Sequence, residues 1–171
     1  MTSSLRDRLL EALALKELPR AGWLRAGLDE PESVAAHSWG VAWLVLALCP
    51  EGLDRGRALA IAVLHDLPEV RVGDITPHDG VSATEKSIAE TAALSDLLRG
   101  LPQAPELMDL WMEYEQGTTP EGRFVKACDK LDMALQAHRY SAASGLDLQE
   151  FIDSALARLP AGPLRDLAGE P

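Results

Sequence analysis

The sequence predicts an all-α fold. Leucine and alanine dominate its apolar residues, aromatic residues make up only 5% of it, and apolar positions recur at helical spacing between proline and glycine stops. Alanine and leucine are strong helix formers, and the β-branched residues that favour sheets are few. With 171 residues, 47% of them hydrophobic, the chain has enough apolar mass for one packed domain and too little for two. That domain is expected to take in residues 1–171, with its core over about residues 5–160.

Each helix has its own start and stop signals. Apolar spacing from Leu5 to Leu18 predicts a first helix ended by Pro19. The stretch from Pro19 to Pro31 reads as a glycine- and charge-rich loop anchored by Trp23 and Leu24. Ser33 is placed to cap a helix that runs to about Cys49 and ends at Pro50. A third helix is expected over Asp54–His65. Pro68, Gly73 and Pro77 then break the pattern, so Leu67–Val81 reads as loop and short turns. Thr84–Leu98 is helical, with Thr84 or Ser82 at its start and Gly100-Leu101-Pro102 as its stop. Pro105–Gln116 follows. Thr119 caps the longest helix, Pro120–Ser144, which Gly145 ends. Leu148–Leu159 is expected to close the domain. No strand, internal repeat or linker is apparent.

Charge narrows the function. Sixteen basic against 27 acidic residues give a net charge of −11, which repels nucleic-acid backbones and anionic lipid heads. No basic stripe offsets it, so neither a polymeric nucleic acid nor a membrane is an expected partner. A small phosphorylated substrate is compatible, provided a metal and local cations hold it. The N-terminal stretch lacks a long apolar run and a small-residue cleavage site, and Trp39–Cys49 is too short to span a bilayer. Cys49 and Cys128 read as buried free thiols of a reducing compartment. The expected location is the cytoplasm.

Chemistry concentrates at His65-Asp66, which follows the apolar run Ala58–Leu64. Imidazole and carboxylate both ligate borderline divalent metals. His37 in ESVAAHSW and Asp129 in KACDKLD sit in apolar helical patterns of their own. Two histidines and two aspartates, one face from each of three helices, make a four-ligand metal site with positions left for water and substrate. Asp129 has a plainer reading as an ion-pair partner of Lys126 or Lys130 at helical spacing. Structural or surface roles are favoured for His78 and His138, and solvated or paired roles for Lys86, Lys126 and Lys130. Trp39, Trp43 and Trp111 are expected in the core, and Trp23 as an anchor of its loop.

The order His … His-Asp … Asp resembles the signature of the HD-domain metal-dependent phosphohydrolases. ESVAAHSWGVAWL, HDLPEVRVGDITP and FVKACDKLDMALQA resemble blocks of the HD-domain 5'-deoxynucleotidases (the YfbR-like group). PRAGW, TEKSIAE and LWMEYE are similar too, so the likeness runs through most of the chain. The resemblance implies metal ligands His37, His65, Asp66 and Asp129, holding one divalent ion, Mn, Co, Mg, Fe, Ni or Zn. It implies proton transfer by Glu69, three residues after Asp66, and a sugar-hydroxyl contact by Asp74, for which proton transfer is the alternative catalytic role. Arg20 suits phosphate binding, because a guanidinium gives oxyanions paired donors, and Trp23 would pack near sugar or base. Plainer readings stand beside these: an ion pair of Glu69 with Arg71, a cap on the Ile75-Thr76 turn for Asp74, a core anchor for Trp23. The implied activity is hydrolysis of deoxyribonucleoside 5'-monophosphates by a homodimer. A different nucleotide phosphate as substrate, or a metal-stabilised module without catalysis, are the alternatives.

Overall fold

The computed structural model describes residues 4–170. Ser4 opens α1 (Leu5–Leu13) with a reciprocal capping box, its hydroxyl accepting from the Asp7 N–H while the Asp7 carboxylate takes the Ser4 N–H. The helix does not reach Pro19 as α-helix. It tightens into a 3₁₀ turn at Ala14–Lys16, which buries Leu15. The segment expected as plain loop contains α2 (Ala21–Arg25). Its ends are tied together where Arg20 N–H donates to Glu32 O and Val34 N–H to Leu18 O, so Arg20 sits at a fixed neck.

Ser33 caps α3 (Val34–Leu48) as its sequence predicts. Asp54 caps α4 (Arg55–Leu64), whose last turn delivers His65. Pro68 then restarts a single turn, α5 (Glu69–Val72), stopped by Gly73 at φ 81°, a conformation glycine adopts without Cβ strain. The region expected as loop therefore holds one helical turn, and Glu69 stands on it. Ser82, rather than Thr84, caps α6 (Ala83–Leu97) through a second capping box. α7 (Ala104–Gln116) ends at left-handed Gly117, α8 (Pro120–Ser144) at left-handed Gly145. After α9 (Gln149–Arg158) the chain does not close but adds α10 (Pro163–Gly169). Among the described residues there is no strand, only one isolated bridge between Pro19 and Ser33, and no helix long and apolar enough to cross a membrane.

The main core forms where α3, α4 and α8 meet. Val41, Val45, Ile61, Ala62, Val125, Cys128 and Leu131 are fully buried there, each larger side chain contributing about 1.5–3 kcal/mol of transfer free energy. A smaller cluster of Trp23, Ala137, Leu148, Phe151 and Ile152 joins α2 and α9 to the C-terminal half of α8. A third, Leu94, Leu98 and Trp111, joins α6 to α7. Two tryptophans break the expectation of a core role: Trp39 is 71% and Trp43 55% exposed on the outer face of α3. That helix is apolar on all sides, so its periodicity cannot say which face turns inward.

Trp111 ties core to site. It is fully buried, and its indole N–H donates to the carbonyl of His65 at 3.1 Å, a carbonyl left at the end of α4. Trp111→Phe keeps most of the apolar volume and orphans that buried acceptor. It should cost about 1–3 kcal/mol, read as a lowered denaturation midpoint with unchanged slope in urea.

Candidate metal centre and active-site cavity

His37 lies on the second turn of α3, one turn after the Ser33 cap, and its ring is 1% exposed. His65 follows the last residue of α4, and Asp129 lies near the middle of α8. Three helices that share one apolar core thus aim polar side chains at one point. His37 Nε2 lies 3.4 Å from His65 Nε2, 3.6 Å from Asp66 Oδ2 and 3.3 Å from Asp129 Oδ1, while His65 Nε2 lies 3.2 Å from Asp66 Oδ2. Donors at bonds of about 2.0–2.2 Å to one ion stand roughly 3.0–3.5 Å apart. His37, His65 and Asp129 each bring one atom within 4.8 Å of the other two and could hold a divalent cation, while Asp66 Oδ2 stands beside the two histidines but outside that trio.

The remaining atoms of these side chains are spoken for, which aims the donors. His65 Nδ1–H donates to Ala62 O at 2.7 Å and His37 Nδ1–H to Asp132 Oδ2 at 2.7 Å, leaving both Nε2 atoms to face the cluster. Asp129 Oδ2 accepts from the Tyr114 hydroxyl at 2.8 Å and pairs with Lys130 Nζ at 2.9 Å, leaving Oδ1 toward His37. The plainer reading of Asp129 as a partner of Lys130 and its place in the cluster are both realised, one oxygen each. Burial and the Arg20 charge push the His37 imidazole down, but the Asp129 and Asp132 carboxylates outweigh them and hold it up at about 10. Burial opposes ionisation of Asp66, yet the neighbouring His65, His37 and Arg20 hold it well below the usual carboxylate range.

A cavity of about 740 Å³ opens above this cluster, a size suited to a small organic ligand. Glu69 stands on its wall with a side chain 4% exposed, and its Oε2 has no hydrogen-bond partner among the described residues. Burial, with Asp66 and Asp74 adding repulsion, pushes the Glu69 carboxyl up to about 9. Arg71 is not its partner, because that guanidinium turns outward to Glu11 and Asp96. Lys86 instead stands 3.7 Å from Glu69 and 3.4 Å from Glu90.

Asp74 does not cap the Ile75-Thr76 turn; Asp79 does that, accepting from Thr76. Asp74 Oδ2 accepts the Ala21 N–H at 2.7 Å, and its Oδ1 lies 3.3 Å from Arg20 Nη1. The same guanidinium nitrogen reaches Asp66 Oδ2 at 3.5 Å. Burial would push Arg20 down, but Asp74 and Asp66 raise it and keep it charged. Trp23 touches the cavity and anchors the second core at once, its indole N–H donating to Glu32 at 3.1 Å and its ring 4.3 Å from that of Phe151.

Sequence reasoning assigned no site role to Lys86, Glu90 and Tyr114, all of which line the cavity. Lys86 and Glu90 carry an i, i+4 signal, but nothing in that spacing says which way the pair faces. His78 is exposed at the cavity mouth, and His138 is structural, hydrogen-bonded to Ala168 O. Both cysteines are free, Cys128 buried and Cys49 half-buried.

The HD domain family model matches residues 12–162. The 5'-deoxynucleotidase hdd1 of Schizosaccharomyces pombe is 41% identical over 132 residues, covering 74% of this chain and 67% of that protein. The 5'-deoxynucleotidase HDDC2 of Bos taurus is 36% identical over 160 residues, covering 91% and 78%. A solved structure of a conserved hypothetical protein from Pyrococcus furiosus superposes with a TM-score of 0.79 at 40% identity, covering 90% of this chain and 88% of that one. With its histidine–aspartate cluster at the meeting point of three helices, the chain belongs to the HD-domain family.

Proposed function

We propose that this protein is a metal-dependent phosphomonoesterase that hydrolyses deoxyribonucleoside 5'-monophosphates to nucleoside and phosphate. The observation that carries the reading is the convergence of His37, His65 and Asp129, with Asp66 Oδ2 beside the two histidines, next to a cavity whose wall holds the unpartnered Glu69 Oε2. The substrate class comes from the 5'-deoxynucleotidase names of relatives 36–41% identical to this chain.

One divalent ion held by those four side chains would supply charge neutralisation at the phosphoryl oxygens and lower the pKa of water. The chain's own residues do the rest. Arg20, fixed by Asp74 and the neck at Glu32, presents cationic donors to the phosphate from the cavity wall. Glu69 Oε2 takes a proton from the attacking water or returns one to the leaving sugar oxygen; a carboxyl held up at about 9 carries a proton near neutrality and gives it up when nearby negative charge is neutralised. Asp74 spends both oxygens on Arg20 and Ala21, so in this reading it acts first by holding Arg20 and meets a sugar hydroxyl through a lone pair that remains. Trp23 and Phe151 offer apolar surface to the nucleoside. Lys86 places a positive charge 3.7 Å from the other Glu69 oxygen.

A panel of nucleoside monophosphates, triphosphates and cyclic nucleotides with added divalent ions tests the reading. Deoxyribonucleoside 5'-monophosphates should release inorganic phosphate, and Glu69→Gln should lower kcat by roughly 10²–10⁴-fold with metal content retained; phosphate release by Glu69→Gln at the wild-type rate would remove its role.

Protonation gives a second test. A coordinating imidazole must be neutral, whereas His37 held at about 10 carries a proton at pH 7 in the metal-free protein. Uptake of the ion should therefore release at least one proton, and apparent affinity should rise about tenfold per pH unit between pH 6 and 8. Calorimetry in buffers of different ionisation heat reads the proton count directly.

The reading extends to a cytoplasmic homodimer. Two free thiols suit a reducing compartment. From Val34 to Cys49 there is no Asp, Glu, Lys or Arg, and Trp39, Trp43 and Leu46 stand exposed one turn apart on the same face of α3. Contiguous apolar surface of this kind marks an association site. Light scattering should give about twice the chain mass of 18.5 kDa, and Trp39→Glu with Trp43→Glu should give the monomer.

A further inference from the structure

The two imidazoles of the cluster are held differently. His65 donates its Nδ1–H to Ala62 O, a neutral carbonyl of its own helix. His37 donates to a carboxylate on another helix, Asp132 of α8, at 2.7 Å. Asp132 lies three residues beyond Asp129, so one face of α8 supplies both a cluster donor and the group behind the facing histidine. The Asp132 side chain is 15% exposed, so this hydrogen bond is little diluted by water.

A second observation shows that the chain is shaped around this contact. Gly40 lies one turn after His37 on α3, and a Cβ there would lie on Asp132 Oδ1 and 2.9 Å from its Cγ. Glycine inside a helix costs about 0.5–1 kcal/mol relative to alanine, and this one has φ in the ordinary helical range, since it is absent from the positive-φ glycines. Backbone conformation therefore does not call for it. The space it leaves is filled by the Asp132 carboxylate.

We propose that Asp132 is a positioning residue for His37 and that Gly40 is the seat that lets it reach. By accepting Nδ1–H, Asp132 fixes the tautomer that turns the Nε2 lone pair toward the cluster, and its charge makes that nitrogen a stronger donor than the carbonyl-bonded His65. The inference rests on the metal-centre reading of the previous subsection.

The test uses Mn²⁺ binding and Co²⁺ visible spectra of the full chain, with far-UV circular dichroism of each metal-free variant as a fold control. Asp132→Ala should weaken Mn²⁺ binding by about 10–100-fold and shift the Co²⁺ absorption bands. Asp132→Asn, which keeps an oxygen acceptor, should recover much of that affinity. Gly40→Ala should weaken Mn²⁺ binding in the parent chain and add nothing once Asp132 is Ala, because both changes break one contact. Wild-type affinity and spectrum in a folded Asp132→Ala variant would overturn the role while leaving the metal centre standing. Failure of the wild-type chain to bind Mn²⁺, Co²⁺ or another divalent ion would overturn the metal reading, and the role with it. If Gly40→Ala unfolds the chain, Asp132→Ala and Asp132→Asn alone decide.

Discussion

Repulsion among buried carboxylates is the constraint on which the rest of this structure depends. Asp66, Glu69, Asp74 and Asp129 line one cavity, and Asp132 stands just behind His37. Charges this close in a medium poorer than water in screening cost several kcal/mol unless they are paired. The chain meets that cost by rationing partners: Arg20 serves Asp66 and Asp74, Lys130 and Tyr114 serve one oxygen of Asp129, and His37 lies between Asp129 and Asp132. Glu69 receives the least, with Lys86 at 3.7 Å and one oxygen unpartnered. Such a group adds little to stability, which agrees with the proton-transfer role proposed for it.

The fold serves this constraint by ending helices where chemistry begins. α4 stops at Leu64, so His65 and Asp66 leave the helix together and can point to different partners. Pro68 restarts a turn that brings Glu69 round, and Gly73 reverses the chain so that Asp74 reaches back to Ala21 and Arg20. The indole of Trp111 satisfies the carbonyl exposed by the break, which lets the irregular stretch lie in a dry interior.

Much of this was legible in the sequence, and for identifiable reasons. Helix caps at Ser33 and Thr119 are local interactions between residues three apart, so they survive translation from sequence to structure. The meeting of His37, His65 and Asp129 was legible because their order along the chain, each in an apolar helical pattern, resembled a known arrangement; Asp66 follows from its place next to His65. Short helices were not. α2, α5 and α10 are five, four and seven residues long, below the length at which periodicity can speak, and tertiary contacts hold them. Orientation was not legible on α3 either: with apolar residues all round, Trp39 and Trp43 looked like core and proved to be surface. Pairings across the cavity, such as Asp132 with His37 over Gly40, join distant segments and leave no local trace.

The outer face of α3 has a consequence for behaviour in solution. Copies of a chain with net charge −11 repel one another over most of their surface, and that repulsion weakens as ionic strength rises, with a screening length near 10 Å at 0.1 M salt. The homodimer proposed on Trp39, Trp43 and Leu46 would involve no ion pair among those residues for salt to weaken. It would therefore tighten as salt is added, opposite in sign to an interface built on charge pairs.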